Sequence, residues 1–76
     1  MNKVRREELN KALERLYDAQ AIVEQCLDEE QDYLDNIPEN LQDSERYEKA
    51  ESAVQALEDT ISNIEDAISN IETAGE

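Results

Sequence analysis

Residues 54–74 read VQALEDT-ISNIEDA-ISNIETA, three successive heptads whose first and fourth positions are all large and apolar. Tyr47 and Ala50 extend the same spacing by one more heptad toward the N-terminus. Apolar residues spaced alternately by three and four form the seam of a coiled-coil helix. Ser44 is a suitable N-cap just ahead of this pattern. The spacing therefore predicts a helix over about residues 45–74.

A second seam with the same spacing runs through the first half of the chain. Its members are Leu9, Leu13, Leu16, Gln20, Val23, Leu27, Glu30, Leu34 and Ile37. Pro38 lacks an amide N–H and disfavours helical geometry at the residue before it, so the helix should end near Asp35. The sequence predicts a first helix over about residues 3–35 and a connector over residues 36–44.

The two seams match layer by layer when the chain folds back at the connector. The layers pair Leu34 with Tyr47, Leu27 with Val54, Val23 with Leu57, Leu16 with Ile64, Leu13 with Ile68 and Leu9 with Ile71. The predicted fold class is all-α: an antiparallel, coiled-coil-like two-helix hairpin that forms a single domain over residues 1–76. In this register the basic residues of segment 1–15 lie beside Glu65, Asp66 and Glu72. Within the connector, Asn36 and Glu39 could cap a short helical turn.

Each helix also carries a row of small residues beside its seam. The rows are Ala12, Ala19 and Cys26 in the first helix, and Ala53, Ala67 and Ala74 in the second. Two helices bury only one stripe each, and isoleucine at successive seam positions disfavours two-stranded packing. We therefore expect a homodimer that forms a four-helix bundle, with these rows in the dimer interface.

Composition restricts the partners of the chain. It has 21 acidic and 7 basic residues and a formal charge of -14. Such a charge repels nucleic acid and anionic membranes and suits a protein partner with a basic surface. No apolar run approaches the ~20 residues of a membrane span, and one cysteine allows no intrachain disulfide. We expect a soluble cytoplasmic protein, in the host cytoplasm if the chain is phage-encoded.

Residues that could support catalysis or hold a cofactor are scarce. The chain has no histidine, and its only thiol, Cys26, lies on an apolar helical row without a neighbouring base. The acidic run over residues 28–32 lacks the glycine and the ligand spacing of a calcium-binding loop. Glu30 lies on the seam, where Arg46 or Lys49 could neutralise it. We predict no catalytic residue, no metal site, no cofactor and no enzymatic activity.

The distribution of charge leaves two interpretations open. Residues 16–45 contain ten acidic and no basic residues, and residues 50–76 contain seven acidic and no basic residues. These carboxylates could form a solvated surface that prevents aggregation. They could instead imitate the charge density of a nucleic acid backbone and bind a basic groove on another protein.

Residues 28–47 read DEEQDYLDNIPENLQDSERY. This segment resembles one found in small uncharacterised acidic helical proteins of Gram-positive phages and mobile elements. In those proteins the pattern E-E-Q-x-x-x-D-N-[ILM]-P-E-x-[LM]-Q-x-S-E-R recurs ahead of an acidic helix. The resemblance implies a phage or prophage accessory protein and implies no particular activity.

The same segment supplies the candidate partner-binding residues. They are Asp28, Asp32, Asp35, Asn36, Gln42 and Arg46. The alternative is that the connector residues among them only build the bend, as turn, cap and salt-bridge residues. The sequence thus predicts a non-enzymatic protein that binds another protein through its acidic surfaces or its connector end, with a DNA-mimic inhibitor as the sharper version. A structural or assembly bundle without a separate ligand is the alternative.

Overall fold

The computed structural model describes all 76 residues, as two long helices joined by a short connector. Helix α1 spans Lys3–Asp35, a single 3-10 turn spans Glu39–Leu41, and helix α2 spans Glu45–Ala74. The Cα atoms extend 59 Å along the long axis and only 15 and 13 Å across it. The expected all-α hairpin is confirmed.

Both helices begin at a side-chain cap. Asn2 Oδ1 accepts a hydrogen bond from the Arg5 amide at 2.8 Å. Ser44 Oγ accepts one from the Tyr47 amide at 3.2 Å and donates its own hydrogen to the Leu41 carbonyl at 2.6 Å. These bonds satisfy amide groups that have no partner within a first helical turn. Ser44 therefore fixes both the end of the connector and the start of α2.

The role expected for Asn36 in the connector is wrong. Its side chain does not cap the 3-10 turn, whose N-cap is Pro38 without a side-chain hydrogen bond. Instead the Asn36 amide side chain donates to the Asp32 carbonyl at 2.7 Å and closes the C-terminus of α1. The next residue, Ile37, is buried and fills the closed end of the hairpin. Asn36 thus ends the helix and lets Ile37 turn inward.

The core is a single seam between the helices. Only four residues are buried, namely Ile37, Ala50, Val54 and Ile68. The remaining seam residues, including Leu16 and Ile64, are half-buried, as expected when each helix has one neighbour. The two polar seam residues are half-buried as well: Gln20 donates to Glu65 Oε1 at 3.5 Å, and Glu30 forms no ion pair with Arg46 or Lys49.

Contacts and grooves between the helices agree with the predicted register. At the end that holds the termini, one groove is lined from both helices by Leu9, Leu13, Ile71 and Glu72. At the connector end, another groove is lined by Glu30, Tyr33, Ala50 and Ala53. In each groove the numbers of the α1 and α2 residues named here sum to between 80 and 86, which agrees with the predicted register to within about two helical turns.

Truncation of Ile68 should destabilise the hairpin strongly, since Ile68 is buried to 7% exposure in the seam. We expect Ile68→Ala to lower the free energy of unfolding by about 2 to 4 kcal/mol, measured by urea denaturation followed by circular dichroism. Val4→Ala is the matched control because Val4 is 67% exposed. Equal losses in the two variants would show that the seam does not carry the fold.

Removal of the Ser44 hydroxyl should cost about 1 kcal/mol, because Ser44→Ala leaves a first-turn amide of α2 without a partner. Ser52 lies exposed in the interior of α2, so Ser52→Ala is the control and should be neutral or slightly stabilising. Both values can be read from the same denaturation series. A neutral Ser44→Ala variant would contradict the capping role.

Candidate functional site

The hairpin has two chemically different long sides, which are separated by the seam. The Tyr33 and Arg46 side chains meet on one side of the seam, at the connector end. On the other side, Gln20 reaches Glu65, and Asn10 lines a groove with Glu72. Because every seventh residue of a helix returns to nearly the same direction, these contacts assign whole rows of residues to each side.

The acidic side comprises two rows of each helix, in which one residue recurs every seven positions. In α1 these are the row of Asn10 and Gln31 and the row of Glu7 beside it. In α2 they are the row of Glu65 and the row of Glu48 beside it. The acidic side carries one basic residue, Lys3, and ten acidic residues: Glu7, Glu14, Glu24, Asp28, Asp35, Glu48, Glu51, Glu58, Glu65 and Glu72. Every one of these carboxylates is exposed. Four of them, at positions 51, 58, 65 and 72, recur at intervals of about 10.5 Å along α2. None of those four forms an ion pair.

The opposite side is named the small-residue face here. Its inner rows are Arg5, Ala12, Ala19, Cys26 and Tyr33 in α1, and Arg46, Ala53, Thr60, Ala67 and Ala74 in α2. Its outer rows are Glu8, Arg15, Ile22 and Glu29 in α1, and Lys49, Ala56, Asn63 and Asn70 in α2. All six candidate dimer residues therefore lie on one face. Ala12, Ala19, Ala53 and Ala67 are half-buried there, whereas Cys26 and Ala74 are exposed.

Charge differs sharply between the two sides. The small-residue face carries four basic residues, Arg5, Arg15, Arg46 and Lys49, and only two acidic residues, Glu8 and Glu29. It is thus slightly positive on a chain whose formal charge is -14. The middle of this face, between Arg15 and Glu29 in α1, is uncharged. The acidic character of the protein belongs to the other side and to the backs of the helices.

The six candidate partner-binding residues are all exposed, but the structure does not bring them together. Asp28 and Asp35 lie on the acidic side, and Asp32 lies on the back of α1. Arg46 lies on the small-residue face. The Asn36 side chain is occupied in closing α1, and the backbone N–H of Gln42 donates to the Glu39 carbonyl at 3.3 Å to close the 3-10 turn.

Arg46 has a contact that the sequence did not predict. Its guanidinium lies 5.2 Å from the centre of the Tyr33 ring, and Arg46 Nε donates to the Tyr33 hydroxyl. A cation over an aromatic ring is favourable by about 0.5 to 1 kcal/mol at an exposed site. This contact between Arg46 of α2 and Tyr33 of α1 links the two helices beside the connector, which gives Arg46 a structural role at this position.

Ion pairs between the helices are absent. The two salt bridges, Lys11 with Glu8 and Lys49 with Glu45, each lie within one helix and are exposed. Arg6 shares a groove with Glu72, yet its guanidinium donates to the Met1 carbonyl at 2.7 Å. Such exposed pairs contribute little, so apolar contact rather than charge pairing sets the register.

Comparison with known proteins gives a brief result. No protein-family model, curated protein or solved structure matches this chain. The structure itself contains no group of three or more metal-binding side chains placed to hold an ion. Neither helix is long and apolar enough to cross a membrane.

Proposed function

We propose that this protein is a non-enzymatic interaction protein that binds a protein with a basic surface through its acidic side. The observation that supports it is the segregation of ten exposed carboxylates and one basic residue onto one long side of the hairpin. A surface that only prevented aggregation would need no such segregation. Clustered charge of one sign attracts an oppositely charged partner and accelerates association.

The sharper form of the proposal is a mimic of DNA. Glu51, Glu58, Glu65 and Glu72 lie in one line along α2, and carboxylates of α1 run beside them. A basic groove that holds a phosphate backbone would meet regularly spaced negative charges on this side. Together with the resemblance of residues 28–47 to phage proteins, this supports a cytoplasmic accessory protein that inhibits a nucleic-acid-binding or defence protein of the host.

The test is a capture experiment with a matched pair of variants. Glu51, Glu58, Glu65 and Glu72 are changed to Gln in one variant, which removes four charges from the acidic side. The control changes Asp18, Glu45, Asp59 and Asp66 to Asn or Gln, which removes four charges from the backs of the helices. Both variants have the same net charge, so any difference between them reports the position of the charge.

We expect the immobilised wild-type protein to retain a basic protein from a Gram-positive host lysate at low salt. High salt, or added duplex DNA as a competitor, should release that protein. The acidic-side variant should lose at least about tenfold in affinity, equivalent to about 1.4 kcal/mol, and the control much less. Equal losses in the two variants, or binding that salt does not weaken, would contradict the proposal.

The second candidate is a structural or assembly component without a separate ligand. The small-residue face favours it, because small side chains permit close approach of further helices. An apolar assembly interface would persist at high salt, whereas electrostatic mimicry would not. The capture experiment therefore separates the two candidates.

A further inference from the structure

Tyr17 is the one large apolar residue that the acidic side exposes. It lies near the middle of α1 and is 51% exposed. The other exposed large apolar residues within the helices, Val4, Ile22 and Tyr33, lie on the back of α1 or on the small-residue face. Tyrosine combines an apolar ring with a polar hydroxyl and is therefore enriched at interfaces between proteins. Tyr17 thus marks one position of the acidic side as a contact for a partner.

The register places Tyr17 opposite Glu65 across the seam. Asn10 and Glu72 line one groove between the helices. Tyr17 lies seven residues after Asn10 and Glu65 lies seven residues before Glu72, so the same pairing recurs one heptad away in the antiparallel hairpin. The contact between Gln20 Nε2 and Glu65 Oε1, at 3.5 Å, agrees with this position, because Gln20 lies one turn beyond Tyr17. The ring of Tyr17 and the carboxylate of Glu65 therefore lie on the same stretch of the acidic side.

The surroundings of Tyr17 are negative and supply no cation. Glu14 lies one turn before Tyr17 on the same side, and both Glu14 and Glu65 are exposed. Arg15 is the basic residue nearest to Tyr17 in the sequence, but its row belongs to the small-residue face. The chain has one contact between a cation and an aromatic ring, and that contact is at Tyr33. The ring of Tyr17 is therefore free to receive a cation from another molecule.

The contact at Tyr33 indicates which cation such a ring receives. The Arg46 guanidinium lies 5.2 Å from the centre of that ring, and Arg46 Nε donates to its hydroxyl. Lys49 lines the same groove, yet it pairs with Glu45 and leaves the ring to Arg46. A planar guanidinium stacks on an aromatic ring and donates parallel hydrogen bonds to a carboxylate, whereas a lysine ammonium is a compact, strongly hydrated charge. A tyrosine beside carboxylates therefore favours arginine over lysine.

We propose that the acidic side binds an arginine side chain of its basic partner between the ring of Tyr17 and the carboxylates of Glu14 and Glu65. This inference rests on the proposed function and adds to it the residue type that the partner presents. The guanidinium stacks on the ring and donates to the carboxylates on either side. Net charge alone would attract arginine and lysine equally, so a preference for arginine that depends on Tyr17 is the distinguishing property.

The test compares octa-arginine with octa-lysine, two peptides of equal charge, by isothermal titration calorimetry at low salt. Tyr17→Leu removes the ring and keeps an apolar side chain that favours a helix. Tyr17→Phe keeps the ring. Tyr33→Leu is the matched control, because it removes the same ring on the small-residue face, where Arg46 already occupies it. Circular dichroism checks that each variant retains the helicity of the wild type.

We expect the wild type to bind octa-arginine at least about threefold more tightly than octa-lysine, since an exposed contact between a cation and a ring is worth about that factor. Tyr17→Leu should reduce the ratio of the two dissociation constants about threefold, whereas Tyr17→Phe and Tyr33→Leu should leave it nearly unchanged. An equal reduction in Tyr17→Leu and Tyr33→Leu would overturn the inference.

Two further outcomes separate this inference from the proposed function. If both peptides bind in a salt-dependent way and Tyr17→Leu leaves their ratio unchanged, the arginine site is overturned while binding of a basic partner by the acidic side stands. If neither peptide binds at low salt, the acidic side does not attract basic chains, and both the inference and the proposed function are contradicted.

Discussion

The apolar seam between α1 and α2 is the interaction on which the rest of the structure depends. No ion pair joins the helices, and the polar contacts between them are few: Gln20 with Glu65 and Arg46 with Tyr33. Each helix has one neighbour and buries one stripe, so only Ala50, Val54, Ile68 and the inserted Ile37 are buried. Stability of the hairpin therefore rests on continuity of the seam over eight layers rather than on a deep core.

That dependence explains the construction of the connector. The seam fixes which residues of α1 and α2 pair only if the connector places the start of α2 at the matching position along the axis of α1. Asn36 closes α1, Ile37 turns inward, Pro38 prevents the helix from continuing, and Ser44 starts α2. Several residues of segment 36–44 thus set the bend, whereas the carboxylates of Asp28, Asp32 and Asp35 beside them are exposed.

The sequence was sufficient for the helices, their register and the shared location of the small residues, because each follows from a repeat of seven. Features set by a single side-chain rotamer escaped prediction. Arg46 lies on Tyr33 instead of neutralising Glu30, and Asn36 bonds backward to Asp32 instead of forward. Heptad spacing shows on which side of the hairpin a residue lies, but it does not show which of several neighbouring groups its flexible side chain contacts. Ile22 was overlooked because it lies outside the seam, in an outer row whose other members, Glu8, Arg15 and Glu29, are charged.

The division of charge between the two sides determines where a basic surface would be attracted to this chain. The formal charge is -14, yet the small-residue face carries four basic and only two acidic residues. The Debye length at physiological ionic strength is about 8 Å, so each charge acts mainly on groups close to it and not on the far side of the hairpin. A basic surface is therefore attracted most strongly to the acidic side, where ten carboxylates face solvent.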